Sequence, residues 1–380
     1  MPARHPIYDA DTETIRDQIR RFVAEEIEPY GERWEEKGAF PRELYLKAGA
    51  AGLLGLGFDE AYGGAGGGLL YYCLVREELA ASGFAGVRVG LMAHGIGLPP
   101  VLKLGSEDIR QEIAPAVLAG EKIICLAISE PDAGSDVANI RTVARRDGDA
   151  YVVNGAKAFI SNGVRADYMT VAVRTGGPGM AGVSLLVVPG DLPGVHRHNM
   201  MKIGWWTSDT GEIAFEDVRV PARYLLGEEN AGFRGIMENF NLERLGIASS
   251  LIGLSRCAYE EAVRYAHERH TFGKPLAAHQ VLRHKLVEMR MGIEAMQAMT
   301  DNLVWRVLEG DQCIAEIAML KAFCGETHER IASAAAQIFG GAGMIRGHKV
   351  ERLFRESKIL NIGGGSTEVM KDLASRQLGW

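Results

Sequence analysis

The sequence predicts an α+β fold that is mostly α. It should have a helical N-terminal domain, a middle antiparallel β domain and a C-terminal four-helix-type bundle. Three observations carry this reading. Up to about Lys122 the apolar residues recur at helical spacing. From 123 to 233 they alternate, or run in short apolar stretches between Gly, Pro and Asp. Beyond that the helical period returns. The domains are therefore placed at 1–122, 123–233 and 234–380.

The first helix is expected from Thr12 to Tyr30. Ile15, Ile19, Phe22, Val23 and Ile27 share one face, and Pro29 closes it. "EAYGGAGGG" (60–68) and "GLPP" (97–100) interrupt the helices that follow. In "AYVVNGAKAFIS", Asn154-Gly155 predicts a hairpin turn. "DYMTVAVRT", "VSLLVVPG" and "GEIAFEDVRVP" read as strands. Three long helices are expected near 235–270, 276–308 and 314–339. Ile314, Ile317, Leu320, Cys324, Ile331, Ala335 and Ile338 step by threes and fours, and no heptad with charged flanks persists, so these are bundle helices. A β domain between two helical halves creates a cleft where three surfaces meet, a favoured place for ligands.

The 380 residues include 42 Lys and Arg against 49 Asp and Glu, a net charge of −7. That balance argues against nucleic acid or an anionic membrane as a main partner. Five Cys (73, 125, 257, 313, 324) are odd in number and form no C-x-x-C, which fits a reducing compartment. The opening "MPARHPIYDADTETIRDQ" has no apolar signal-peptide core, and no stretch reaches the roughly 18 apolar residues of a membrane span. A cytoplasmic protein is expected.

Five segments carry chemistry. In "CLAISEPDAGSD" (125–136) an apolar strand runs into hydroxyls and freed N–H groups, which suits a flat polar edge or an anion. Its Pro, Asp, Gly and Ser would equally make an ordinary turn. "AFISNG" sets Phe159 beside Ser161, one to meet the face of a planar ring and one its edge. "ERHTFGK" (268–274) closes a helix with Arg269, either a fork for phosphate or a complement to the helix dipole. "QIFGGAG" (337–343) and "NIGGGSTEVM" (361–370) expose backbone. Neither is a P-loop, because no Lys-Ser/Thr follows the glycines.

Taken together and in this order, "AISEPDAGSD", "ERHTFGK", "QIFGGAG" and "GGGSTE" resemble the acyl-CoA dehydrogenase family of flavoproteins. The likeness extends through "KIGWWTSDTGEIAFEDVRVP" and covers almost the whole chain. Asn139 departs from the small residue usual there. The resemblance implies FAD as cofactor. Leu126, Ile128, Ser129, Gly134, Ser135, Phe159, Ile160 and Ser161 would then meet the flavin. Arg269, Thr271, Phe272, Gln280, Gln337, Gly340 and Gly341 would bind the pyrophosphate and adenosine of a neighbouring subunit's cofactor. Ser366, Thr367 and Glu368 would touch FAD from the C-terminal loop. Ser135, Asn241, Arg244, Gly364 and Gly365 would contact the acyl-CoA substrate. A homotetramer, a dimer of dimers, and an electron-transferring flavoprotein as electron acceptor follow from the same likeness.

The family reaction takes a proton from the thioester α carbon and passes the β-hydride to flavin N5, giving a trans-2-enoyl-CoA. A weak carbon acid needs a carboxylate base and donors on the thioester oxygen. Many relatives carry that base just before the terminal Gly-Thr, where this sequence has Gly364. The long-chain and isovaleryl-CoA dehydrogenases instead carry a Glu-Arg pair early on a long helix, and "ENFNLERLGIASS" supplies Glu243-Arg244 at that place. Glu243 is therefore expected to be the base, although a Glu in a first helical turn needs no such role. Glu368 is the competing carboxylate. Arg244 would fix either substrate or base. A second reading keeps fold and flavin but delivers electrons to oxygen. A third is a non-enzymatic acyl-CoA-binding scaffold, against which Ser129, Ser161 and Arg269 argue. "HERH" lacks metal-ligand spacing, no G-x-S-x-G occurs, and Trp205-Trp206 is read as β-domain core before acyl-cavity lining.

Overall fold

A computed structural model describes residues 5–380. Asp9 caps the first helix, Ala10–Phe22, by accepting from Thr12 N at 2.8 Å. The helix then widens into a π-helical turn, Val23–Ile27, before Pro29, which has no N–H to continue it. Ile19, Phe22, Val23 and Ile27 are buried as their spacing predicts. Helices fill the chain to Leu118.

Eight strands follow: β1 (Ile124–Ala127), β2 (Val143–Asp147), β3 (Ala150–Ser161), β4 (Tyr168–Arg174), β5 (Val183–Pro189), β6 (Val195–Asn199), β7 (Thr210–Pro221) and β8 (Leu225–Leu226). They form one sheet in the order β6-β7-β3-β2-β4-β5-β8, with β1 added against β4. Pairing is antiparallel except that β1 runs parallel to β4 and β2 touches β4 through one parallel pair. Asn154-Gly155 is not a hairpin turn. It lies inside β3, where the register with β7 slips between Val153 and Gly155. The turn is Gly148-Asp149, between the paired Asp147 and Ala150. Asp147-Gly148 carries the same Asx-Gly signal, and Gly148 takes φ +63. At Asn154 the side chain instead crosses to β7, donating to Asp217 Oδ1 at 2.9 Å.

The long helices are Gly232–Glu268, Gln280–Leu308 and Ile314–Phe339. The second begins four residues later than expected, because His270–Thr271 and Lys274–Pro275 pair as a small hairpin and Leu276–Ala278 forms a 3-10 turn. One apolar cluster joins the N-terminal helices to the sheet. A second joins the three long helices to Tyr72, Cys73 and Ala80 of the Gly68–Ala81 helix. The N-terminal helices thus share an apolar core with both of the other layers. Asn162 stitches the same seam: its Nδ2 donates to Gly90 O at 2.8 Å and Tyr45 donates to its Oδ1 at 3.3 Å. Among the described residues no helix is long and apolar enough to cross a membrane.

Lys157 on β3 is fully buried and reaches Ile128 O at 3.0 Å and Glu130 Oε1 at 2.7 Å. Glu130 also accepts from the backbone of Arg141 and, at 2.9 Å, of Thr142. Burial alone would raise the Glu130 carboxyl, but Lys157 and these donors hold it below its usual value of 4.5. Its share of stability is present above that pH and is lost as pH falls through the lowered value. Lys157→Met, which strands one member of a buried pair, is expected to cost about 3–5 kcal/mol, read as a lower first unfolding transition at pH 7.

Candidate active site

β1 is an apolar strand that ends at Ala127, two residues before Ser129, and β3 returns beside it. Ala158 N donates to Ser129 O at 2.9 Å, so Lys157 and Ala158 fix residues 128–130 against β3. Beyond Lys157 the register with β7 shifts again, resuming at Ile160. Within this bulge Phe159 adopts φ +62 and is 64% exposed. An aromatic residue held in the left-handed region is strained, and such strain concentrates at functional positions. Ile128 and Ile160 are buried, Leu126, Ser129 and Ser161 are half-buried, and Gly134 and Ser135 lie exposed on the following turn. The expected flavin residues 126–129 and 159–161 are therefore neighbours, with one bare aromatic face among them.

Glu243 lies within the 232–268 helix and is half-buried. Among the described residues nothing donates a hydrogen bond to its carboxylate. Across from it runs the C-terminal loop, where Gly364 and Gly365 take φ +70 and +100. A Cβ on Gly364 would stand 3.9 Å from Glu243 Oε1 and only 2.3 Å from Ile247 Cδ1. The backbone of Gly364 therefore faces the carboxylate of Glu243. Lys321, with no exposed surface, donates to Gly365 O and holds the loop down. Arg244 Nη2 lies 3.9 Å from a Cβ built on Gly365, and its buried Nε has no partner. Asn241 donates to Gln312 O at 3.0 Å while its Oδ1 is left bare.

Burial pushes the Glu243 carboxyl above 4.5, and Arg244, Arg76, Lys321 and Arg88 pull it back. Burial in turn lowers Lys321 to about 8, against the pull of Glu243. Glu368 shows the opposite behaviour. It is exposed in the first turn of the Thr367–Gln377 helix, where backbone and Ser366 hydrogen bonds lower its pKa. Ser366 N-caps that helix through Val369 N at 3.3 Å, and Thr367 is buried against Asn361.

The remaining expected residues lie elsewhere. Arg269 follows the last turn of the helix that carries Glu243, about 39 Å along the axis at 1.5 Å per residue. Thr271 meets His279 at 3.2 Å. Phe272 takes φ +52 and is 96% exposed. Gln280 opens the next helix. Gln337, Gly340 and Gly341 are exposed at the end of the 314–339 helix, and both glycines face open space. Tyr265 stacks on Phe339 at 4.1 Å and joins these two helix ends. The expected site residues thus fall into two groups, far apart on one chain.

Sequence reasoning missed Tyr72, Arg76, Arg88 and Lys321. A signal existed: Arg88 in "AGVRVGLM" and Lys321 in "AMLKAFCG" are lone cations inside apolar helical runs. Trp205 and Trp206 sit at the domain seam, not in the β core. Trp205 packs on the helical cluster. Trp206 carries the guanidinium of Arg355 at 3.6 Å and of Arg346 at 4.5 Å from its ring.

The chain matches the acyl-CoA dehydrogenase N-terminal domain over residues 9–121, the middle domain over 125–218 and the C-terminal domain over 230–379. It is 35% identical to the rat mitochondrial long-chain specific acyl-CoA dehydrogenase, across 98% of this chain and 87% of that protein. A probable acyl-CoA dehydrogenase from Mycobacterium abscessus superposes with a TM-score of 0.96 at 44% identity, covering 98% of this chain and 99% of that one. A Mycobacterium smegmatis glutaryl-CoA dehydrogenase solved with FADH2 superposes at 0.92 and 29% identity, over 98% and 95% of the chains. Three family segments in order, on a fold that sets Glu243 against Gly364, lead to one conclusion: the chain belongs to the acyl-CoA dehydrogenase family and is an oxidoreductase.

Proposed function

We propose that this enzyme dehydrogenates an acyl-CoA thioester between its α and β carbons, with Glu243 as the base. One observation carries the reading. Glu243 is half-buried, has no hydrogen-bond donor among the described residues, and lies 3.9 Å from where a side chain at Gly364 would begin. FAD, when bound, supplies the acceptor for the β-hydride. Phe159 offers its bare ring to a planar partner, and Ser161, Ser129, Leu126 and Ile128 border it. Gly134 and Ser135 extend that border to the pantetheine arm.

Glu243 takes the α proton. Burial makes its carboxylate a stronger base than an exposed one, while Arg244, Arg76, Lys321 and Arg88 favour its charged form. Gly364 N–H donates to no acceptor among the described residues and is available to the thioester oxygen as charge develops there. Lys321 holds the loop that presents this N–H. Asn241, Arg244 and Gly365 border the same space.

Arg269, Thr271, Phe272, Gln280, Gln337, Gly340 and Gly341 serve the pyrophosphate and adenosine of a second copy's cofactor, in a dimer of dimers. The distance from Arg269 to Glu243 and the fully exposed Phe272 ring support this. Glu368, with Ser366 and Thr367, contacts cofactor and does not accept the α proton. An electron-transferring flavoprotein receives the electrons.

Glu243→Gln should keep its flavin absorbance, bind acyl-CoA, and slow substrate-driven flavin reduction by about 10²–10⁴-fold; parental-rate reduction in stopped flow would show that the base lies elsewhere. Because Glu243 acts ionised and burial raises its pKa, kcat should fall on acidification through a limb above 4.5. In Glu243→Gln that limb should vanish from the pH–rate profile. Gly364→Ala forces a Cβ into Ile247 at φ +70 and should cost about 1–2 kcal/mol in backbone strain, with a matching drop in kcat/KM.

A further inference from the structure

Where the three layers meet, acids outnumber bases. Glu32 and Glu35 come from the Gly31–Lys37 helix, and Glu351, Arg352, Arg355 and Glu356 from the Lys349–Glu356 helix. Arg355 serves three of these acids. It donates to Glu351 Oε2 at 3.1 Å, to Glu35 Oε2 at 2.9 Å and to Glu356 Oε1 at 3.3 Å. Arg352 donates to Glu32 and to Gly83 O, and its Nε lies 3.6 Å from Glu35 Oε2. Glu35 and Glu356 are only 6% and 5% exposed. Each keeps one closed oxygen, Glu35 Oε1 and Glu356 Oε2, with no hydrogen-bond partner among the described residues. Two buried carboxylates under one guanidinium are a poor arrangement if both are charged.

The other charged groups nearby do not cure the excess. Lys202 donates to Ser208 O and to Thr210 Oγ1. Arg165 pairs with Asp209, and Arg346 lies over the Trp206 ring at 4.5 Å. Arg88 approaches the Trp205 ring at 5.8 Å and makes no ion pair among the described residues. Glu36 and Lys37 are exposed, beside Glu35 at the rim of a cavity of about 830 Å³. Burial and the charge of Glu35 push the Glu356 carboxyl up to about 7, while Arg355, the Trp205 N–H and Arg352 pull it back.

Glu356 also grips the β domain. Trp205 N donates to its Oε1 at 2.6 Å. A Cβ on Gly204 would stand 2.4 Å from Glu356 Cγ, so glycine lets the loop come this close. Trp205 is held at φ +54, a strained conformation for an aromatic residue. The same loop seats on the Ala85–Met92 helix, where a Cβ on Gly86 would stand 2.2 Å from Thr207 Oγ1.

We propose that Glu35 and Glu356 share one proton between their bare oxygens, and that this proton clasps the 204–207 loop of the β domain to both helical layers, so that its loss loosens the seam. The inference stands apart from the dehydrogenation reading. With the proton in place, one oxygen donates and the other accepts, and a single negative charge remains beneath Arg355. When the proton leaves to solvent, two charges repel across the seam, and the strain at Trp205 favours release. The closed pair holds a proton that an opened, solvated Glu356 gives up above 4.5. The clasp is therefore tightest in mild acid, weakens as pH rises toward the raised value, and levels off beyond it.

The test follows hydrogen exchange of the Trp205 amide in the flavin-loaded enzyme, corrected for the intrinsic pH dependence of exchange. Protection should fall about 10–30-fold between about pH 5.5 and 7.5, the linkage of one proton. Glu356→Gln keeps an oxygen for Trp205 N and offers an N–H to Glu35 Oε1, so its protection should stay level over the same range. Glu35→Gln should also stay level, because the remaining acid no longer faces a second charge. At the lower pH, the infrared spectrum of wild type minus Glu356→Gln should show the carbonyl band of one protonated carboxylic acid, and at the higher pH that band should shrink. The proposal is overturned if wild-type protection does not change with pH, if Glu356→Gln keeps the wild-type change, or if the difference spectrum holds no acid band. The wild-type exchange measurement decides the matter even where a variant fails to fold.

Discussion

A carboxylate that is to remove a proton from carbon must be freed of water without losing its charge. As the proposed base, Glu243 meets both demands at once, burial on one side and four cations on the other. Burial on the 232–268 helix raises its proton affinity. Arg244, Arg76, Lys321 and Arg88 offset part of that rise from three different helices, 68–81, 85–92 and 314–339, as well as from its own. The cations are themselves mostly buried, so each is held by fixed packing and not by mobile surface chains. Helical layers are well suited to this, because one lone charge on each of several apolar faces can converge at a point.

The supports around this centre are of the same kind. Lys157 and Glu130 fasten the end of β1 to β3, and just beyond that fastening the β-bulge turns Phe159 outward. The strained φ at Phe159 persists because neighbouring pairing and burial over-determine it. Asn162 ties the same strand end to Tyr45 and Gly90. The glycine loop 363–365 has no side chain to anchor it, and Lys321 holds it by a single main-chain oxygen. Helices and strands thus carry the proposed site residues, and the glycine loop is tied down beside them.

Periodicity located the long helices well. Ile314 and Phe339 bound a helix as their spacing implies, since an apolar face of 3.6-residue period admits few alternatives. It failed where a local signal was overruled. Asn154-Gly155 has the chemistry of a turn, but the sheet needs a continuous β3 there, and the bulge accommodates it. Leu276–Ala278 looked helical, but the 270–275 hairpin leaves only a 3-10 turn before Gln280. Trp205-Trp206 looked like β core and lies at the seam with the helices.

By itself, the sequence determined the order of helices, strands and helices, because period and turn chemistry are local. Through its family likeness it also singled out the Glu243-Arg244 pair in "ENFNLERLGIASS" and the glycines of the C-terminal loop. Only the tertiary structure decided that Glu243 and Gly364 meet, that Arg269 lies far down the same helix, and that Arg88 is buried without a partner. Those facts depend on which faces of distant segments pack together, and burial and charge pairing are properties of that packing.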